Sequence, residues 1–418
     1  MAGVRIVRGG AIAREVAKLA NRRLLFSADT ERAVARIVKD VRGKGDPALR
    51  RYAEKWDALA PKQSLGVSKE ELANALASIP ANLRHALETA AHNIRKFAEW
   101  QKPQEFTREI QPGLQVGQII RPIDSVGCYV PGGRYPLPSS LLMTVIPAQV
   151  ADVPRIVVCS PRPATETLAA AALLGVTEFY RIGGAQAIAA LAYGTKSIAP
   201  VVKIVGPGNR FVTTAKKLVS FDCAIDMLAG PTEAIVVAED GEASFWASDL
   251  VAQAEHDPDT SVVFVTSNGT LAKEVAAELK SRAKDNAIAR DSLRRNGLIF
   301  VTASPEESIS VANAIASEHI TLSRDQLGSL TNAGSIFLGP YSPQSLGDYA
   351  AGPNHVLPTG GVARFRGGLS VLDYLKVITV QEVSREALVR IAPVVTTLAE
   401  AEGLRAHAES VHVRCTHA

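Results

Sequence analysis

Residues 125–130, Ser-Val-Gly-Cys-Tyr-Val, run directly into Pro131-Gly132-Gly133-Arg134. A short β-branched apolar run ending in a glycine turn reads as a buried strand. The pattern recurs on the C-terminal side. Residues 155–159, 179–182 and 201–205 read as strands, and the alanine-rich stretches 166–174 and 187–192 read as helices between them. Such alternation argues a parallel sheet with helices on its faces. A second set follows, with strands at 234–238, 261–266, 298–301 and 335–338 and helices at 244–255, 271–284 and 305–316. The fold class is therefore α/β. Two Rossmann-like lobes, neither carrying GxGxxG, are joined to a helical N-terminal segment and an extended C-terminal tail.

Outside the lobes the period changes. Residues 10–24 read as an amphipathic helix, and from Thr30 to Trp100 the pattern is helical, with Ala33, Ile37, Val41, Leu49 and Tyr52 in register. The break at residues 43–47 predicts a helix start with Asp46 as N-cap and Pro47 in the first position. From about Leu375 a sparse apolar stripe (Val380, Val383, Leu388, Ile391, Leu398, Leu404) predicts helices that need another surface to lie on. The expected division puts 1–120 and 232–365 in one lobe, 121–231 in a second, and 366–418 in the tail.

Composition narrows the function. The 418 residues are 47% hydrophobic and 21% charged, an ordinary globular balance that excludes extensive disorder. At roughly 150 residues per domain, two or three domains are expected. The net charge is +4 and aromatics are 5%, with no basic run, so nucleic acid is not an expected partner. No apolar stretch is long enough to span a membrane. The four cysteines are scattered, which fits a reducing cytoplasm better than a disulfide framework. The Arg-rich start faintly resembles a transit peptide, but it contains Glu15 and reads better as a helix.

Three glycine turns end strands in the 121–231 lobe: 130–134, 182–186 (Ile-Gly-Gly-Ala-Gln) and 205–209 (Val-Gly-Pro-Gly-Asn). Glycine lets backbone approach a ligand, and the helix start that follows offers free N–H groups to an anion. The turns suggest a nucleotide or phosphate ligand at the carboxyl ends of the strands; each alone could be an ordinary tight turn. Polar residues gather elsewhere. Gln253 and His256, three apart, are expected on one helix face as half of a metal site, or as mere decoration of a helix end. Glu318-His319 pairs a carboxylate with an imidazole, two proton acceptors suited to two steps. Asp348 and His355 are expected in one polar loop. Glu402 and His407 lie on the last helical stretch and reach a site only if the tail folds back or crosses to a partner. His85, His92, His412 and His417 read as surface or packing residues. Gln253, His256, Asp348 and His407 together would make an N/O set suited to Zn²⁺.

In their order these motifs resemble the histidinol dehydrogenase family along nearly the whole chain. The resemblance runs through Asp40-Val41-Arg42, Gly45-Asp46, 127–133 with Tyr135-Pro136, 183–187, 206–209 and Ala229-Gly230-Pro231-Thr232-Glu233. It continues through 253–256, Ser317-Glu318-His319, Asp348, 354–359, Ala401-Glu402 and His407. It implies a zinc-dependent homodimer that oxidises L-histidinol to L-histidine with two NAD⁺, the last step of histidine biosynthesis. It implies Gln253, His256, Asp348 and His407 as zinc ligands and Glu318 and His319 as the catalytic pair. Tyr129, Gln186 and Asn209 match NAD contacts. Thr232, His355 and Glu402 match substrate contacts, beside the zinc ligands and the catalytic pair. The first lobe becomes the substrate and zinc side, the second the NAD side, and the tail completes the neighbouring subunit's site. Thr232 stands where many members have Ser, and it keeps the hydroxyl. A related zinc/NAD dehydrogenase acting on another small alcohol, such as a sulfonated diol, and a non-catalytic metabolite-binding protein are the alternatives.

Overall fold

The computed structural model describes residues 4–22, 27–132 and 135–416. It divides into two units, 1–101 with 124–374 and 102–123 with 375–418. The chain opens with strand β1 (Arg5–Arg8) and helices Ala11–Ala20, Ala28–Lys44, Asp46–Trp56, Lys69–Ser78 and Ala81–Trp100. Strands β2 (Phe106–Gln111) and β3 (Leu114–Pro122) follow. Then come β4 (Val126–Tyr129), β5 (Ile156–Cys159), β6 (Glu178–Tyr180), β7 (Lys203–Val205) and β8 (Ala224–Ile225). The next set is β9 (Glu233–Val237), β10 (Ser261–Thr266), β11 (Leu298–Val301), β12 (His319–Leu322) and β13 (Ser335–Leu338), and β14 (Leu375–Val383) precedes the last two helices.

Among the described residues, the first unit holds two parallel sheets, ordered β6-β5-β4-β7-β8 and β1-β11-β10-β9-β12-β13. In each, the chain steps outward from a central strand and then returns to its other side. The reversal falls between β4 and β7 in one sheet and between β9 and β12 in the other. The six-stranded sheet shows why it folds. Val236, Phe264 and Ile299 face one helical layer, while the alternate residues Ile235, Val263 and Phe300 face the other. Strands buried on both faces read as continuous apolar runs. Burying each such side chain is worth roughly 1.5–3 kcal/mol. In the five-stranded lobe, Val34, Ile37 and Val41 pack with Leu49, Tyr52 and Ile188, the stripe expected from the helical period.

Several expectations change. The N-terminal helix ends at Ala20, and the expected continuation to residues 23–24 lies outside the described residues, as do Gly133, Arg134 and His417. Asp46 is not the N-cap; Gly45 is, and the Asp46 carboxylate instead accepts from the Ser197 hydroxyl at 2.7 Å. The tail does not begin as helix. Residues 375–383 form β14, antiparallel to β3, because Val377, Ile378, Thr379 and Val380 are β-branched and find a strand partner. Residues 102–120, expected with the first lobe, supply β2 and most of β3 to that antiparallel sheet. The helices Arg385–Ala401 and Arg405–Thr416 follow as read. No described helix is long and apolar enough to cross a membrane.

Candidate active site

Glu318 and His319 stand at the amino end of β12, beside the amino end of β9, with His319 in register with Ala234. The helix Pro305–Ile315 ends at Ala316, whose left-handed backbone (φ 55°) turns the chain into the strand. Glu318 is 7% and His319 3% exposed. The Glu318 carboxylate accepts the Glu233 backbone N–H at 3.0 Å. His319 Nε2 meets Asp348 Oδ1 at 3.3 Å. A carboxylate only accepts, so Nε2 is the donor toward Asp348 and Nδ1 is the nitrogen left for proton transfer. That Nδ1 is buried without a hydrogen-bond partner and lies 3.7 Å from Glu318 Oε2. The ring stacks on Phe337, centroids 5.9 Å apart. Burial pushes the Glu318 carboxyl up to about 8. For His319, burial works against the charged ring, but Glu318 and Asp348 outweigh it and the pKa rises. The pair therefore keeps a proton to higher pH than either group would in water.

Gln253 closes the helix Ala243–Ala254 and is 1% exposed. Its side-chain amide donates to Asp348 Oδ2 at 3.0 Å. His256 does not share a helix face with it. The helix stops at Ala254, because Pro258 disfavours helical backbone just before it, and His256 is exposed on the following turn. Asp348 sits not in a loop but on the short helix Gln344–Tyr349. The loop after that helix returns His355 to it: Nδ1–H donates to the Asp348 carbonyl at 2.7 Å. A carbonyl only accepts, so His355 Nε2 is the free acceptor and takes the Ser140 hydroxyl proton at 3.2 Å. Burial lowers the His355 pKa, and the nearby His256 and His319 press it the same way against the opposing pull of Asp348. Among the described residues no three His, Cys, Asp or Glu side chains close into a metal cage. The donors gathered around Asp348 nevertheless suit a borderline cation such as zinc: a carboxamide already touching a carboxylate, with imidazoles close by.

The reversal between β4 and β7 gathers the other expected residues. Gly206, with φ +112°, passes so close to β4 that a Cβ would lie 2.1 Å from the Tyr129 carbonyl oxygen. The Tyr129 hydroxyl accepts the Gly184 N–H at 3.1 Å. Gln186 is 1% exposed and donates to Asp57 at 3.0 Å, and Gly183 N–H donates to the same oxygen at 2.9 Å. Asn209 caps the helix Arg210–Val219 through the Phe211 and Val212 N–H groups. Such a crevice beyond the carboxyl ends of strands, at a reversal of strand order, is where open α/β sheets take ligands.

The structure thus brings Glu318, His319, Gln253, Asp348 and His355 together, with His256 close to His355. Thr232 lies one residue before Glu233, at the entry to β9. Glu402, on the turn after the helix Arg385–Ala401, and His407, on the helix Arg405–Thr416, belong to the other unit and are exposed, as is His412 on that last helix; His85 and His92 are exposed in the first unit. Sequence reasoning missed Asp57 and Ser140 and gave no role to Arg22 or to Glu233, which it met only as the end of the 229–233 motif. Asp57 follows a helix end, and Ser140 stands in the first turn of the helix Pro138–Val150, where polar residues are common. Their distant partners carried no local signal.

A histidinol dehydrogenase family model matches residues 20–415. The histidinol dehydrogenase of Methanothermobacter thermautotrophicus is 45% identical over 415 residues, covering 96% of this chain and 97% of that one. That of Vibrio parahaemolyticus is 46% identical over 393 residues, 91% of each. A crystal structure of the Elizabethkingia anophelis histidinol dehydrogenase superposes with a TM-score of 0.94 at 34% identity, over 99% of this chain and 98% of that one. With a match of this extent in both sequence and fold, the chain belongs to the histidinol dehydrogenase family, which are NAD-dependent oxidoreductases.

Proposed function

We propose that this protein oxidises L-histidinol to L-histidine through the aldehyde, with NAD⁺ as electron acceptor in each of two steps. The observation that carries the reading is the buried Nδ1 of His319, without a hydrogen-bond partner, oriented by Asp348 and 3.7 Å from the Glu318 carboxylate. An oriented imidazole with a free lone pair is a general base, worth roughly 10²–10⁴ in rate. His319 takes the hydroxyl proton as hydride leaves the carbinol carbon. Glu318 takes a proton from water as its oxygen adds to the aldehyde, whose own oxygen takes back the proton held by His319, giving the hydrate. A second hydride then leaves the hydrate, whose hydroxyl proton goes to His319. A carboxyl raised to about 8 can both take and return a proton near neutrality.

Gln253, His256, Asp348 and His407 would hold zinc. Bound there, it would supply a template that anchors and orients an amino alcohol with an imidazole. His355, held between the Asp348 carbonyl and the Ser140 hydroxyl, would be a contact of that substrate, as would Thr232 and Glu402. Tyr129, Gln186 and Asn209 line the dinucleotide side. Glu402 and His407 complete the neighbouring subunit's site in a homodimer. The identity with relatives over nearly the full chain favours histidinol over a sulfonated diol. Buried free thiols at Cys128, Cys159 and Cys223 suit the cytoplasm.

The test is NADH formation from L-histidinol, before and after chelation and zinc replacement. Two NADH per histidinol, lost on chelation and restored by Zn²⁺, is the expected result. No NADH from the zinc-loaded protein would overturn the assignment.

A further inference from the structure

Arg22 and Glu233 are 211 residues apart in sequence, yet the guanidinium forks onto both oxygens of the Glu233 carboxylate. Arg22 also donates to the Leu19 carbonyl and, at 3.1 Å, to the Ile315 carbonyl. The pair is well shielded, with side chains 19% and 7% exposed. Gly360 N–H adds a further bond to Glu233 at 2.9 Å. Glu233's own backbone N–H is the donor that meets the Glu318 carboxylate at 3.0 Å. Three residues upstream, Gly230 N–H donates to the Thr359 hydroxyl at 2.6 Å. The short segment 230–233, which contains Thr232, is thus pinned at both ends. Arg22 supplies the only charge opposite Glu233 in these bonds. Without it, a second carboxylate would stand near Glu318 with no counter-charge in these bonds.

We propose that Arg22 is a positioning residue for the catalytic pair: by holding Glu233 it aims the N–H that orients Glu318 and fixes the turn that presents Thr232. The proposal rests on the reading of Glu318 as the water-activating base. Its consequence is selective. Hydride transfer between alcohol and aldehyde needs His319 and not the activated water, whereas oxidation of the aldehyde needs both. Losing the clamp therefore harms aldehyde oxidation more than aldehyde reduction, while general damage to the fold lowers both together.

The test is the double variant Arg22→Met/Glu233→Gln, which removes both charges and so leaves no unpaired buried ion. Zinc-loaded enzyme is given histidinal with NAD⁺ and, separately, with NADH, and Glu318→Gln is run alongside. Melting temperature and zinc content are measured on each. The expected result is a loss of aldehyde oxidation at least about tenfold greater than the loss of aldehyde reduction, at unchanged zinc content. Equal losses, when Glu318→Gln is selective, overturn the proposal. If Glu318→Gln slows both reactions alike, the reading of Glu318 fails instead. The crystal structure of the double variant then decides the clamp: Glu318 displaced from the Glu233 N–H supports it, and Glu318 in place overturns it. Should the double variant not fold, Arg22→Lys keeps the charge without the fork. It is expected to show the same selectivity to a smaller degree, and wild-type behaviour in it overturns the proposal.

Discussion

His319 can act as a base because its other nitrogen is already committed. Asp348 takes the Nε2 proton, and the unpartnered Nδ1 is what burial leaves facing Glu318. The same burial is costly to the fold. Glu318 and His319 both hold protons more tightly folded than in their ordinary states. The folded chain then binds more protons than the unfolded chain, so stability contributed by the pair falls as pH rises. For Glu318 the window runs from its ordinary 4.5 to about 8. Each tenfold change in proton affinity is worth about 1.4 kcal/mol, so the effect at pH 8 is large enough to read in a melting curve. Metal-free Glu318→Gln is expected to gain melting temperature over the metal-free parent as pH rises from 5 to 8.5, by several degrees at the upper end. A constant difference across that range would show that burial does not raise the Glu318 carboxyl. At this scale the sequence is legible where neighbours are adjacent: Glu318-His319 announces itself. Asp57, which holds Gly183 and Gln186, is 129 residues from the amide it binds, and no local pattern betrays such a partner.

The glycine turns show what an element can hide. The turn after β7 was readable as a ligand loop from its glycines, but not the device beneath it. Lys216, on the helix Arg210–Val219, donates to the Gly206 carbonyl at 3.0 Å and forms an ion pair with Asp226. Asp226 in turn accepts the Gly206 N–H at 2.7 Å. Both side chains are almost wholly buried. One buried pair therefore fixes both backbone polar groups of Gly206, whose backbone passes close to that of Tyr129. Breaking a buried pair from one side costs about 3–5 kcal/mol, whereas removing both charges is often tolerated. Lys216→Met is expected to lower the melting temperature markedly and to raise the KM for NAD⁺ by about tenfold, roughly 1.4 kcal/mol. Lys216→Met/Asp226→Asn should recover most of the melting temperature and keep the raised KM. Recovery of both would mean that the pair stabilises the lobe without shaping the turn. Strands read from β-branched runs hold to within a few residues because burial on both faces leaves little alternative. β14 escaped because Val377, Ile378 and Val380 are largely exposed, so no apolar alternation marked them as strand.

At the scale of the whole molecule, the terminal unit is notable for what its helices leave uncovered. In the helix Arg385–Ala401 only Ala387 and Ala399 are buried, while Val394 and Leu398 are 57% and 60% exposed. A sparse stripe without a core was legible in the sequence; what it lies on was not, because a surface contributed from elsewhere leaves no mark in a local stretch of sequence. The proposed exchange of tails makes a quantitative claim. A His319→Asn subunit has a defective body and a sound tail, and a His407→Asn subunit the reverse. Each variant alone should be nearly inactive. Unfolded together in equal amounts and refolded, they would form mixed dimers as about half of the population. In each mixed dimer with exchanged tails, one site combines the sound body with the sound tail, and the other combines both defects. The mixture should therefore regain about a quarter of the activity of the parent dimer. With tails folded onto their own subunits, every site keeps one defect, and mixing restores nothing. Size-exclusion chromatography of the mixture separates this outcome from failure to reassociate, since inactive dimers would count against exchange and inactive monomers against the dimer itself.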